Sequence, residues 1–280
     1  MTFFGKIMLG SLILLPFVAQ AGSLPHTIDQ IETSLQARVG VAILDSRSGE
    51  TFSHRGDERF LMNSTIKVPL CAAVLARPDI ALSEQLPVTK EDLTEYAPIT
   101  KDLVGGSLSV SELCLATIDQ SDNTAANVLF RRLGGPEALT AFLRSAGDDV
   151  SRSDRLEPAL NTFAPQDPRD TTSPLAMTAL LQELLTGEVL SEEAGTQLLD
   201  WMRPGGVTGR LIRPYVPEGW DVVDKSGAGD GTRNLIAMLT PPESEPIFVG
   251  LFISDTKADF KARNEALIAL SAAVMEAIRR

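Results

Sequence analysis

The 280-residue chain predicts an α+β fold, an α/β sandwich in which a five-stranded antiparallel sheet is assembled from both chain ends. Helices flank that sheet, and a mostly helical lobe lies between its two halves. Three observations lead there. Alternating, β-branched stretches lie near the two ends, capped segments of helical period fill the middle, and the last twenty or so residues carry one apolar face.

The elements follow in order. Lys6, the apolar run "IMLGSLILLPFVA" and Ala19-Gln20-Ala21 have the charged, apolar and small-residue parts of a secretory signal peptide, cleaved after Ala21. A run of about a dozen apolar residues is too short for a bilayer, which needs about twenty. Residues 1–21 are therefore expected to be removed, leaving residues 22–280 as one secreted, periplasmic domain with no membrane contact in the mature form. In "HTIDQIETSLQA", Ile28, Ile31 and Leu35 form a helical stripe, and "RVGVAILDSRSGETFSHRG" reads as two strands around a Ser-Arg-Ser-Gly turn. The helical lobe spans about 61–204, between α/β portions at about 22–60 and 205–280. It includes "STIKVPLCAAVLA", with Ser64 at the presumed helix start and Pro69 expected to distort it after the first turn. Gly134-Gly135 stops "TAANVLFRRLGG", while Ser173 caps and Gly187 ends "SPLAMTALLQELLTG". Three strands follow in "WDVVDKSG", "TRNLIAMLTP" and "PIFVGLFIS". Phe260, Leu267, Leu270, Val274 and Ile278 fall roughly on one face of the closing helix.

A net charge of −12 argues against a nucleic-acid or anionic-membrane partner, and an anionic substrate would need local positive residues. The only histidines are His26 and His54, so neither a Ser-His-Asp triad nor a His-rich metal site has material. No metal and no cofactor are implied. Cys71 and Cys114, in an exported chain, are expected to form a bridge between two helices, worth about 4 kcal/mol in the chain-entropy model; two buried free thiols are the alternative.

Ser64 and Lys67, three apart in "STIK", could form an activated nucleophile with a neutral, desolvated lysine as base. The same spacing recurs in "SDTK", Ser254 to Lys257, which reads as a helix cap with a solvated lysine. What separates the copies is company. After the first come Ser121-Asp122-Asn123, then Glu157 with Asn161 in "RLEPALN", then Lys225-Ser226-Gly227. Singly, these are a helix cap, an uninformative pair and a turn; their joint occurrence in this order carries weight.

On these motifs, and on "SDNTAANVL", "LTAFL", "RDTT", "LLTGE", "PEGW" and "DKSGAG", the chain resembles the class A serine β-lactamases of the TEM-type branch, whose motif set is S-x-x-K, S-D-N and K-T-G. The resemblance covers the mature chain. It implies that Ser64 opens the β-lactam ring, that the N–H groups of Ser64 and Ala228 hold the oxyanion, and that Ser121 relays a proton to the leaving nitrogen. Glu157, held with Asn161, would activate the deacylating water; either Lys67 or Glu157 would take the serine proton. Lys225, Ser226, Gly227 and Arg233 would receive the substrate carboxylate, Asn123 and the Ala228 backbone the acylamido group, and Tyr96 would wall the cleft. Arg155 and Asp170 would close the loop carrying Glu157; their alternative is an exposed pair worth under about 1 kcal/mol. A monomer acting on penicillins and some cephalosporins is implied.

Three features depart from the branch: Leu156 where tryptophan is usual, Pro69 after the first helical turn, and a segment from Asp230 to Arg233 that is one residue short. A penicillin-binding D,D-peptidase or a β-lactam sensor would share the acylating motifs. Glu157 with Asn161 discriminates against the first, and the lack of a membrane-spanning segment against the second.

Overall fold

A computed structural model describes residues 23–279; the expected signal peptide lies outside them. Helix α1 (Leu24–Leu35) leads into strands β1 (Arg38–Asp45) and β2 (Glu50–His54). The chain then passes through β3 (Phe60–Leu61), α2 (Lys67–Leu75), β4 (Gln85–Pro87), β5 (Ser107–Ser109), α3 (Val110–Asp119), α4 (Asn123–Leu133) and α5 (Pro136–Ser145). Next come β6 (Thr171–Thr172), α6 (Pro174–Thr186) and α7 (Glu192–Met202), and the chain returns through β7 (Asp221–Gly229), β8 (Thr232–Thr240) and β9 (Ile247–Ser254) to α8 (Phe260–Ile278).

The sheet is antiparallel throughout, in the order β2-β1-β9-β8-β7, so its halves from the two chain ends meet where β1 pairs β9. Alternation along β8 explains why its sequence is an unbroken apolar run. Leu235, Ala237 and Leu239 pack with Ile28 and Ile31 of α1 and Leu267, Leu270 and Val274 of α8. Ile236 and Met238 turn to the opposite face, into the helical lobe with Phe60, Met177 and Leu181. Both faces are covered, as the expected sandwich requires.

Local chemistry sets the element ends. Asp122 caps α4, accepting from Ala125 N at 2.8 Å, and also accepts from Ile99 N, Thr100 N and Thr100 Oγ1, which fixes the 97–104 loop against the helix start. Ser173 caps α6 and Gly187 ends it, as expected. The two-residue and three-residue sheets β3–β6 and β4–β5 are too short to show a period in sequence.

Three expectations need correction. Ser64 does not begin an α-helix: a 3₁₀ turn, Asn63–Ile66, precedes α2, and Pro69 is its third residue. In the first turn a missing N–H costs no intrahelical bond, so the irregularity lies before the proline and not after it. In "SDTK", Ser254 ends β9 and the cap of α8 is Asp259, which accepts from Ala262 N at 2.8 Å; Lys257 is exposed as expected. Finally, Cys71 and Cys114 are free thiols, both fully buried, with Cys71 Sγ 3.9 Å from the Cys114 carbonyl oxygen. They pack as small apolar side chains between α2 and α3. Burial, then the neighbouring Cys71, pushes the Cys114 thiol well above its usual range. In the native protein near pH 8, neither thiol is expected to react with a disulfide reagent, whereas denaturation without reductant should release both. No thiol after denaturation would mean a bridge.

Candidate active site

Two residues in left-handed backbone frame the site. Asn63, with φ 50°, precedes Ser64, and Ser121, with φ 58°, precedes the cap of α4. Both conformations are sparsely populated outside glycine and are sustained only by surrounding contacts. They aim Ser64 and Ser121 at a common point, the ammonium of Lys67.

Lys67 is fully buried. Its Nζ donates to Ser64 Oγ at 3.1 Å, to the Ser121 carbonyl at 2.8 Å and to Asn123 Oδ1 at 2.5 Å, and lies 3.4 Å from Ser121 Oγ. Glu157 Oε1 is 3.0 Å from the same nitrogen, with both side chains out of solvent. It accepts no hydrogen bond there, because the three N–H directions of the ammonium are already taken. Glu157 Oε2 accepts from Asn161 Nδ2 at 2.5 Å. The main chain of Glu157 is clamped reciprocally by Asn127, whose Nδ2 donates to its carbonyl at 2.9 Å and whose Oδ1 accepts from its N–H at 3.0 Å. Asn127 is four residues beyond Asn123 on α4, a same-face spacing visible in sequence but not singled out by it.

The loop bearing Glu157 is closed by Arg155 and Asp170. Arg155 Nε meets Asp170 Oδ2 at 2.5 Å, Asp170 is fully buried, and its Oδ1 accepts from the N–H groups of Asp154 and Arg155. The exposed-pair alternative does not describe it.

Strand β7 forms the opposite wall. Lys225 Nζ donates to Ser121 Oγ at 3.0 Å and to the Ser226 carbonyl at 2.8 Å. Burial, then the positive charges of Lys67 and Arg233, depress its pKa well below the usual lysine range. At Gly227 a Cβ would stand 2.9 Å from the Met62 carbonyl oxygen and 3.1 Å from Ser64 N. Only glycine lets the strand pass this close, which sets Ala228 beside the turn that carries Ser64. Opposite Ala228 in register is Arg233, whose Nη1 donates to the Gly227 carbonyl at 2.9 Å while Nε and Nη2 donate to Asn264 Oδ1. Burial, then Arg263, brings its pKa down to about 10. The short segment before it thus still delivers Arg233 to the cleft. That cleft, about 340 Å³, is lined by Ser64, Tyr96, Ser121, Asn123, Asn161 and the 226–228 strand with Arg233. Val207 and Phe260 complete the lining; Val207 lies far along the chain from every motif, and Phe260, expected on the apolar face of the closing helix, is instead exposed at the cleft, outside the core that Leu267, Leu270 and Val274 enter. Among the described residues, no group of three His, Cys, Asp or Glu side chains could hold a metal ion.

A buried serine, lysine, second serine and glutamate in mutual contact can perform acyl transfer. The model of the β-lactamase enzyme family matches residues 23–278. A β-lactamase of Rhodobacter capsulatus is 54% identical over 260 residues, 92% of this chain and 89% of that protein. A reconstructed last common ancestor of Gram-negative class A β-lactamases has TM-score 0.87 at 46% identity, covering 92% of this chain and 100% of that one. The chain belongs to the class A β-lactamases. As such it is a serine hydrolase with a β-lactamase fold. Within this family it is also 40% identical to the AER-1 β-lactamase of Aeromonas hydrophila over 94% of this chain and 88% of that one. The chromosome-encoded β-lactamase of Vibrio parahaemolyticus superposes with TM-score 0.89 at 36% identity, covering 92% of this chain and 100% of that one.

Gly227→Ala should push β7 off the turn that carries Ser64 and lower β-lactam kcat about a hundredfold, the loss expected where the displaced Ala228 N–H would serve as an oxyanion donor. Steady-state kinetics on a folded variant checks this; unchanged kcat would mean the close approach is not needed.

Proposed function

We propose that this β-lactamase hydrolyses penicillins and some cephalosporins through an acyl-enzyme on Ser64, freed by a water that Glu157 activates. The observation that carries the reading is that one buried ammonium, Lys67, is within hydrogen-bond reach of Ser64 and Ser121 and paired with Glu157.

Ser64 Oγ attacks the lactam carbonyl, and its proton ends on the Lys67–Glu157 pair. Lys67 as an ammonium has no acceptor site, so it takes that proton only after passing one across the 3.0 Å to Glu157 Oε1. The N–H groups of Ser64 and Ala228 stabilise the oxyanion. As the C–N bond breaks, Ser121, which also accepts from Lys225, gives its proton to the ring nitrogen and is reprotonated by Lys67, and Lys67 recovers its own proton from Glu157 Oε1, so that Glu157 enters deacylation as a carboxylate. In deacylation Glu157 takes a proton from water through Oε1, the oxygen that accepts no hydrogen bond, and the hydroxide formed attacks the ester. Ser64 leaves and recovers its proton.

Recognition follows the charges. Lys225, Ser226 and Arg233 receive the substrate carboxylate; Arg233 suits this because, among the described residues, it has no acidic partner within salt-bridge distance. Asn123 spends Oδ1 on Lys67, which leaves its amide hydrogens for the acylamido carbonyl. Tyr96 and Phe260 are exposed rings at the cleft. The TEM-type branch, a monomeric state, export with removal of residues 1–21, and a single catalytic domain over 22–280 belong to the same reading. A D,D-peptidase or sensor would have no use for a glutamate whose main chain is clamped by Asn127 and whose carboxylate is held by Asn161 beside the acylated serine.

Mixing with excess penicillin and following intact mass tests this. Ser64→Ala should form no adduct, and Glu157→Ala should accumulate one, its deacylation slowed about a hundredfold or more. Normal turnover by either variant would contradict the assignment.

A further inference from the structure

The amide of Asn63 is the interior link of a hydrogen-bond chain that runs from two backbone carbonyls to the proposed base. At one end, Asn234 Nδ2 on β8 donates to the carbonyls of Leu61 and Met62, at 2.7 and 3.1 Å. Backbone carbonyls only accept, so the amide of Asn234 can face them in one orientation only. The same Nδ2 lies 3.1 Å from Asn63 Oδ1, which also accepts from Thr232 Oγ1 at 2.8 Å. With its oxygen committed to these donors, Asn63 must present Nδ2 on its other side, and there it meets Asn161 Oδ1 at 3.2 Å. Asn161 is thereby turned with its own Nδ2 to Glu157 Oε2, at 2.5 Å. Asn63 and Asn234 are essentially without solvent exposure, so water does not compete for these bonds.

The neighbouring backbone leaves room for this chain. A Cβ at Gly229 would lie 2.2 Å from Asn63 Nδ2 and 2.6 Å from the Asn161 carbonyl oxygen, and Asp230 N donates to that carbonyl at 3.2 Å. Asn63 also holds φ 50°, which asparagine tolerates better than most residues.

We infer that Asn63 is a positioning residue for deacylation: through Asn161 it keeps an N–H donor on Glu157 Oε2, so that Oε1 is the oxygen left to take the proton of the water. An Asn161 amide free to turn over would instead set its carbonyl oxygen against the carboxylate. This rests on the deacylating role of Glu157 proposed above.

The experiment compares acylation and deacylation rates, by rapid-mix intact mass with a penicillin, across four variants. Asn63→Gly keeps the left-handed turn and removes the amide. Asn63→Asp keeps size and both acceptor contacts but has no donor for Asn161. Asn234→Ala keeps residue 63 and removes the donor that orients its amide; it serves where a residue-63 variant does not fold, with deacylation expected to slow more than acylation. In the residue-63 variants deacylation should slow about tenfold or more, the rate equivalent of one lost hydrogen bond to a charged group, with acylation within about threefold of native. Native deacylation in these variants would overturn the inference, as would equal loss in both steps, which would mean a displaced nucleophile. Glu157→Gln runs in parallel. Its normal turnover would remove the underlying reading, whereas a stalled Glu157→Gln beside unaffected residue-63 variants would remove the relay alone.

Discussion

An ammonium with no exposed surface is costly unless every donor is met, and Lys67 sets that condition for the whole centre of the molecule. Its acceptors come from separate pieces of chain, the 3₁₀ turn before α2, the strained residue before α4 and the first residue of α4, and its counter-charge from the loop after α5. Each piece is fixed by bonds that do not involve Lys67. Asp122 ties the α4 start to the 97–104 loop, Asn127 clamps the main chain of Glu157, and buried Asp170 closes the loop ends. The left-handed backbone at Asn63 and Ser121 stores strain that these anchors sustain, and it lies where the Ser64 and Ser121 hydroxyls are aimed at Lys67.

Charge is distributed against the molecule's average. A chain of net charge −12 gathers Lys67, Lys225 and Arg233 around one cleft, with Glu157 as the carboxylate among them. Desolvation depresses the pKa values of Lys225 and Arg233, so a bound carboxylate would meet cations stripped of water. Local field, and not net charge, decides which anions the site accepts.

What was legible in sequence follows from range. Strands covered on both faces read as apolar runs, so β8 and β9 announced themselves; caps such as Ser173 are decided within a few residues. The motifs gave Ser64, Lys67, Ser121, Glu157 and Lys225, and the structure brings all five together. The rest depends on distant partners. Pro69 looked disruptive because its place in the first turn of α2 is set by the 3₁₀ turn ahead of it, and the thiols of Cys71 and Cys114 were read from compartment rather than geometry. Nothing local marks Asn63, because its partners, Thr232, Asn234 and Asn161, lie roughly 100 to 170 positions away.

If one buried ammonium serves both halves of the reaction, Lys67→Ala tells most directly, with acylation and deacylation of a penicillin measured separately in single turnover. The account predicts that both steps slow together by about two orders of magnitude or more, since Ser64 and Ser121 lose their shared proton partner and Glu157 its counter-charge. A variant impaired in one step only, with the other at its native rate, would contradict it.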